Sequence, residues 1–225
     1  KTTTAQFLEA IFNRTGRPTG VVGTLHGPRT TPEAADLQRT LRGFLDDGCD
    51  AAVLEVSSHA LALHRVDGTQ FDAVVFTNLG HDHLDLHGSQ EEYFRAKARL
   101  FSPDFSRLAV INVDDPYGRL LADTVEGPEF RVVAVSTDDV GDVYVDAASH
   151  RYRWNGLEVD VPIGGRFNVA NSLIALTTAV ELGVEPVDAA GDVSRPVARH
   201  QGRDSLAASQ RGALQPRSRA YRRHG

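Results

Sequence analysis

The stretch Ala51-Ala52-Val53-Leu54-Glu55-Val56-Ser57-Ser58-His59 decides the fold. A short, nearly continuous apolar run is how a strand buried on both faces of a parallel sheet reads. Glu55 breaks the run at its carboxyl end. That is the edge at which open α/β sheets bind ligands. A carboxylate there must be paired, hydrated or metal-bound, because an isolated charge in an apolar setting is costly.

Working outward, residues 72–77, 108–113 and 131–136 read as three more buried strands, and residues 21–25 as a short one. Helical periodicity lies between them. Phe7, Leu8, Ile11 and Phe12 predict a helix over 2–14. Thr31-Pro32-Glu33 is read as the start of another: Thr31 as cap, Pro32 in the first turn, Glu33 at the positive end. Leu37, Leu41, Phe44 and Leu45 are its expected buried face. Ser89 and Glu92 predict a capping box opening a helix over 89–101. Alternating strands and helices mean an α/β fold with a mainly parallel sheet and flanking helices. In 143–162, two short strands flank Asn155-Gly156, a type I′ turn signal, so a small β-hairpin insertion is expected. A helix over 167–182 stops at Gly183.

Composition narrows the function classes. The 225 residues are 41% hydrophobic, enough for a core, and the net charge of −6 argues against nucleic acid as the main partner. One cysteine fits a reducing compartment and excludes an internal disulfide framework. No apolar run approaches the roughly 20 residues of a membrane span, and no signal peptide is visible, so a cytoplasmic setting is expected. The chain holds no methionine and is read as a piece of a longer one. From about residue 195 large apolar residues thin out and arginines accumulate. The division expected is an α/β domain over 1–193 and a disordered or aberrant arginine-rich tail over 194–225.

Three places carry chemistry. Lys1-Thr2-Thr3-Thr4 ahead of a helix matches the back half of a P-loop, where the lysine meets the β- and γ-phosphates and the next hydroxyl binds magnesium. A plain capped helix is the alternative. Residues 78–87, Asn-Leu-Gly-His-Asp-His-Leu-Asp-Leu-His, follow the 72–77 strand and so share Glu55's edge of the sheet. With no cysteine nearby and no helical His-Glu-x-x-His, hard oxygen ligands plus one imidazole favour magnesium over zinc. Lys97 is the third. The chain has 24 basic residues and only two are lysines, Lys1 and Lys97. Arginine cannot lose its proton, so it cannot replace a lysine that must react as a neutral amine, for example with carbon dioxide.

Together these pieces resemble the Mur ligase family, of the MurE type, over residues 1–193. The resemblance rests on Thr30-Thr31-Pro32-Glu33-Ala34, Glu55-Val56-Ser57-Ser58-His59-Ala60-Leu61 with Arg65-Val66, and Phe76-Thr77-Asn78-Leu79. It continues through Asp82-His83-Leu84-Asp85, His87-Gly88, Tyr93, Ala96-Lys97 and Phe167-Asn168-Val169-Ala170-Asn171. It implies an ATP- and Mg2+-dependent ligase of peptidoglycan precursor synthesis. Such an enzyme adds meso-diaminopimelate or lysine to UDP-N-acetylmuramoyl-L-alanyl-D-glutamate through an acyl phosphate. By the same resemblance, Lys1, Lys97 and His83 are catalytic, and Lys1, Thr2, Thr3, Asn168 and Asn171 face ATP. Thr2, Glu55, His83 and Lys97, the last carbamylated, would hold the metal. Thr30, Thr31, Ser57 and Arg65 would contact the muramoyl peptide, while Leu63 stands where many relatives carry a substrate-binding glutamine. A monomer is expected, inactive as this piece alone. The rival readings are a related ligase such as a folylpolyglutamate synthase, and a P-loop protein that binds nucleotide without ligation.

Overall fold

A computed structural model describes residues 1–80, 88–125, 127 and 130–193. The chain opens with α1 (Thr2–Arg14), then β1 (Thr19–Val22), α2 (Ala34–Asp46), β2 (Ala51–Leu54) and α3 (Ser58–Ala62). Next come β3 (Val74–Phe76), α4 (Gln90–Ala98), β4 (Leu108–Asn112), α5 (Pro116–Val125) and β5 (Arg131–Val135). Then follow β6 (Gly141–Val145), β7 (His150–Trp154), β8 (Leu157–Val161), α6 (Arg166–Glu181) and α7 (Pro186–Val193). β1 and β2 pair in parallel, and β3, β4 and β5 form a second parallel ladder in that order. β6, β7 and β8 form an antiparallel meander. The fold is α/β with a mainly parallel arrangement, as its sequence pattern predicts.

Strand alternation builds two cores. Val21, Val53, Val110 and Val135 point into one, with Phe7, Leu8, Ile11 and Phe12 of α1, the apolar side of α6, and the meander. Val22, Val74, Phe76, Ala109 and Ile111 point into the other, with Leu37 of α2, Leu61 of α3, Tyr93 of α4 and Leu121 of α5. Neighbouring residues on one strand enter opposite cores because the side-chain period of a strand is two. Helices therefore cover both faces, and the strands read as near-continuous apolar runs for that reason.

The expected elements recur with informative shifts. β1 ends at Val22, not at residue 25, because the Thr24 N–H donates to the Glu55 carboxylate at 3.1 Å, and Leu25 stands exposed. Thr31 is not the cap of α2. Glu33 occupies that position without a side-chain bond, and the Thr31 hydroxyl donates instead to the Glu55 backbone carbonyl at 2.8 Å. Leu45, expected in the buried face, is 61% exposed on the last turn of α2. Asn155 and Gly156 both take left-handed φ, 49° and 79°, as a type I′ turn requires. The insertion has a third strand, β6, which the expected two-stranded hairpin lacked. α7 was not anticipated either. The proposed tail, residues 194–225, lies outside the described residues.

Candidate active site

Glu55 lies one residue past β2, 4% exposed, and its carboxylate is satisfied from two sides. Thr2 in the first turn of α1 donates its hydroxyl to Oε2 at 2.9 Å. Thr24 donates its N–H to Oε1 at 3.1 Å and its hydroxyl to Oε2 at 3.3 Å. Gly23 makes room for this: a Cβ there would sit 2.4 Å from Glu55 Oε1. The carboxylate is thus fixed against a hydroxyl at a helix start, two hard oxygen donors side by side.

Lys1 immediately precedes α1. Much of its side chain is exposed, but burial at the ammonium end lowers its pKa, with the Glu55 charge acting in the opposite direction. Lys97 lies on α4, and its Nζ donates to the Asn78 carbonyl at 3.2 Å. The ammonium sits 5.1 Å from the Tyr93 ring centre and 5.9 Å from that of Phe76. Burial between these rings, the largest cause, and the charge of Lys1 together lower its pKa to about 8, against an upward pull from Asp115. Lys1 therefore feels both Glu55 and Lys97, and the structure gathers the three charges at one edge of the sheet. Asp115, just past β4, is a member the sequence reading missed. Its carboxylate also accepts the N–H groups of Leu79, Tyr117 and Gly118 at 3.2, 2.9 and 3.2 Å. The strand-end rule that singled out Glu55 applies equally to Asn112-Val113-Asp114-Asp115 and would have found it.

The asparagines form a second line. Asn168 and Asn171 lie on α6, where Asn171 donates to Asn168 Oδ1 at 3.0 Å and Asn168 donates to the Gly164 carbonyl at 2.7 Å. Thr4 ties the pair to the lysine end of α1 by donating to Asn171 Oδ1 at 3.3 Å. Thr4 was also missed, although it stands next in the Lys-Thr-Thr-Thr run. Thr3 is partly buried in the same turn.

The third group surrounds the start of α2. Thr30 shares a 3.0 Å hydroxyl bond with Thr24. The Thr31 hydroxyl, 1% exposed, accepts the Ser57 N–H at 3.1 Å. Ser57 caps α3 by accepting from the Ala60 N–H at 3.1 Å. Arg65 is held by Glu33 through Nε at 3.1 Å and Nη2 at 2.8 Å, and it donates to the Thr31 carbonyl at 3.3 Å. The expected substrate contacts are therefore neighbours, but in this state their polar atoms serve one another. Leu63 is exposed beside them at the end of α3. A groove of about 430 Å³ opens beside them, lined by Val22, His26, Arg29, Pro32 and Glu33 among others.

His83, with Asp82, Asp85 and His87, lies outside the described residues. Among the described residues no group of three or more His, Cys, Asp or Glu side chains is arranged to hold a metal ion. Thr2 and Glu55 by themselves fit a hard cation: both offer oxygen, and one is a buried carboxylate.

A family model described as the Mur ligase middle domain matches residues 1–179. The chain belongs to the Mur ligase family. Within that family it is 42% identical over 213 residues to the UDP-N-acetylmuramoyl-L-alanyl-D-glutamate–2,6-diaminopimelate ligase of Geobacter metallireducens, covering 83% of this chain and 41% of that protein. It is 40% identical over 212 residues to the ligase of the same name from Streptomyces avermitilis, covering 86% of this chain and 42% of that one. A solved structure of a UDP-N-acetylmuramoyl-L-alanyl-D-glutamate–2,6-diaminopimelate ligase superposes with a TM-score of 0.76 at 30% identity, over 86% of this chain and 44% of the other. The Mur ligase chain described here thus spans about two fifths of the length of the curated relatives it matches.

Proposed function

We infer that this chain is the nucleotide-binding centre of an ATP- and Mg2+-dependent ligase. That ligase would join a diamino acid, meso-diaminopimelate before lysine, to UDP-N-acetylmuramoyl-L-alanyl-D-glutamate. The observation that carries the reading is the edge where Lys1, the Thr2–Glu55 pair and Lys97 meet. The diaminopimelate ligase names of its relatives support the choice of substrates.

The chemistry asked of this edge is to bring two anions together. A carboxylate of the precursor attacks the γ-phosphorus of ATP, the bond to the β-phosphate oxygen breaks, and ADP leaves. The amine then attacks the acyl phosphate carbonyl, phosphate leaves, and an amide remains. Lys1 offers a cation at a helix start, where backbone N–H groups also point outward to receive phosphate oxygens. Mg2+, when bound, would offset the phosphate charge, and Thr2, Glu55, Lys97 as its carbamate, and His83 are the residues proposed to hold it. The half-buried position of Lys97 between two rings and its lowered pKa support the carbamate reading. Its neutral amine attacks carbon dioxide, forms an N–C bond and releases a proton, converting a cation into an anionic oxygen ligand. Asn168 and Asn171 would meet the adenine, and Thr3 the phosphates. Thr30, Thr31, Ser57 and Arg65 would meet the muramoyl peptide once Glu33 releases Arg65. A 1–193 domain followed by a separate tail remains the proposed division. No described helix is long and apolar enough to cross a membrane, and a cytoplasmic monomer is the form we infer.

Phosphate release by the longer protein containing this chain tests the reading. Release is expected only with ATP, Mg2+, the muramoyl dipeptide and the diamino acid together. Sustained release without the amino acid would refute ligation, and turnover of glutamylated folates in place of the muramoyl substrate would favour the folylpolyglutamate rival.

A further inference from the structure

Asn168, Asn171 and Thr4 form one directed chain of hydrogen bonds. Asn168 donates a side-chain N–H to the Gly164 carbonyl at 2.7 Å. A backbone carbonyl can only accept, so the Asn168 amide must turn its nitrogen to Gly164 and its oxygen to Asn171. That oxygen accepts an Nδ2 hydrogen of Asn171 at 3.0 Å. The second amide is fixed in turn. Its nitrogen faces Asn168, and its oxygen accepts the Thr4 hydroxyl at 3.3 Å. The three residues differ in exposure. Thr4 is 3% exposed and Asn168 4%. Of the three only Asn171 is partly open. A carboxamide has two N–H groups and two oxygen lone pairs. Asn171 uses one of each on its neighbours, so one N–H and one lone pair remain. An adenine edge is the complement: a 6-amino donor beside a ring-nitrogen acceptor, which a carboxamide meets with two bonds. Hypoxanthine carries an acceptor oxygen at position 6, and it would face the Asn171 lone pair.

We propose that Thr4 is a positioning residue for base choice: its hydroxyl holds Asn171 so that the free N–H and lone pair of that amide meet adenine and reject a 6-oxo purine. Thr4 itself touches no nucleotide. The role rests on the adenine assignment made above and divides it, with Asn171 reading the base and the buried Asn168 orienting Asn171. Without the Thr4 hydroxyl, Asn171 keeps a single tether, the bond to Asn168, and its amide can swing about it. Its oxygen would then also lack a donor on the side facing α1. The placement of Thr4 matters as well. It stands in the first turn of α1 with Thr2 and Thr3, the residues proposed for the metal and the phosphates. α1 and α6 pack into one core, so this turn is set rigidly against the Asn171 backbone. One helical turn thereby sets both ends of a single nucleotide, the phosphates directly and the base through Asn171.

The test uses the longer protein containing this chain. Thr4→Val keeps the branched shape and loses the donor, and Thr4→Ser keeps the donor. Calorimetry with Mg2+ gives the affinities for ADP and for inosine diphosphate. The parent protein should bind ADP about tenfold or more the tighter. Thr4→Val should shrink that ratio at least about threefold, chiefly by losing ADP affinity, and Thr4→Ser should keep it. Equal weakening of both nucleotides in Thr4→Val overturns the proposal and leaves the adenine assignment standing. A parent protein indifferent to the base overturns both. A readout without nucleotide stands beside these. The order of the Asn171 side-chain amide, from 15N relaxation, should fall in Thr4→Val and hold in Thr4→Ser. Unchanged order in Thr4→Val overturns the proposal whatever the nucleotides do. Should Thr4→Val not fold, Thr4→Ala is read in the same way.

Discussion

Lys97 offers the sharpest test of the site, because burial sets its pKa and two named charges adjust it in opposite directions. An ordinary lysine near 10.5 is neutral in only about one molecule in a thousand at pH 7.5. With its pKa lowered to about 8, Lys97 is neutral in about a quarter. Acylation consumes the neutral amine, so Lys97 should label on the order of two hundred times faster at pH 7.5 than an unshifted lysine of equal access. The chain makes this measurement clean, since Lys1 and Lys97 are its only lysines and arginine-specific digestion separates them. Pulses of isotopic acetic anhydride from pH 6 to 11, read on the peptide containing Lys97, should give a midpoint near 8. Lys1→Gln removes a like charge and should raise the midpoint. Asp115→Asn removes an opposite charge and should lower it. Neither variant should restore 10.5, because desolvation is the largest cause. A midpoint at or above 10, or a fall in Lys1→Gln, would refute the argument. Linkage adds a second readout. The folded pKa is the lower one, so between about 8 and 10.5 the unfolded chain binds more protons. The Lys97 contribution to stability therefore rises with pH through that window and is flat below it.

Three further outcomes concern stability. Gly118→Ala should lose about 1–3 kcal/mol in urea unfolding, because its Cβ would stand 1.9 Å from the Asn112 carbonyl oxygen, where α5 leans on β4 and only backbone could yield. Ser172→Ala should cost a similar 1–3 kcal/mol, since it strips partners from the buried His150 Nε2 at 2.8 Å and the Tyr152 hydroxyl at 3.0 Å. His150 Nδ1 donates to the Ile163 carbonyl at 2.6 Å, so Nε2 must accept from Ser172. Burial lowers the His150 pKa, so the unfolded chain takes up the proton first on acidification. Stability should fall as pH drops through about 6.5, a slope missing in His150→Gln thermal melts.

The parallel strands and the helices on both faces were legible because each strand feeds two cores and so reads apolar throughout. Element ends were not, and the cause is local. Glu55 takes the Thr24 N–H out of the ladder, and Ser57 turns the chain into α3 where the apolar run through Val56 promised more strand. The first shift comes from a side chain acting across 31 residues of sequence and the second from a cap across three, and no periodicity registers either. Thr31 shows the same limit. As a residue before Pro-Glu it reads as a cap, yet its hydroxyl bridges the Glu55 carbonyl and the Ser57 N–H. Glu55 and Lys97 were found through charge type and position, whereas Asp115 and Thr4 matter through partners that only the fold supplies. β6 was missed because four of its five residues are exposed, leaving no alternation to read.

The site's two arms are held by unequal means. On the Glu55 side the carboxylate, Thr2 and Thr24 form a closed set of short bonds beneath the sheet edge, and moving any member leaves a buried polar group unpaired. On the Lys97 side α4 buries Tyr93 fully and packs Phe94 and Ala98 partly against the second core. Its anchor is Arg99, whose guanidinium reaches the Leu61 carbonyl at 2.5 Å and Asp67 at 2.7 Å, binding the end of α4 to α3. A partly exposed ion pair contributes little by itself, and the bond to a backbone carbonyl does more to set the register. Lys97, two residues earlier, faces the other way, toward Tyr93 and Phe76. Its ammonium is therefore positioned by two rings and one carbonyl.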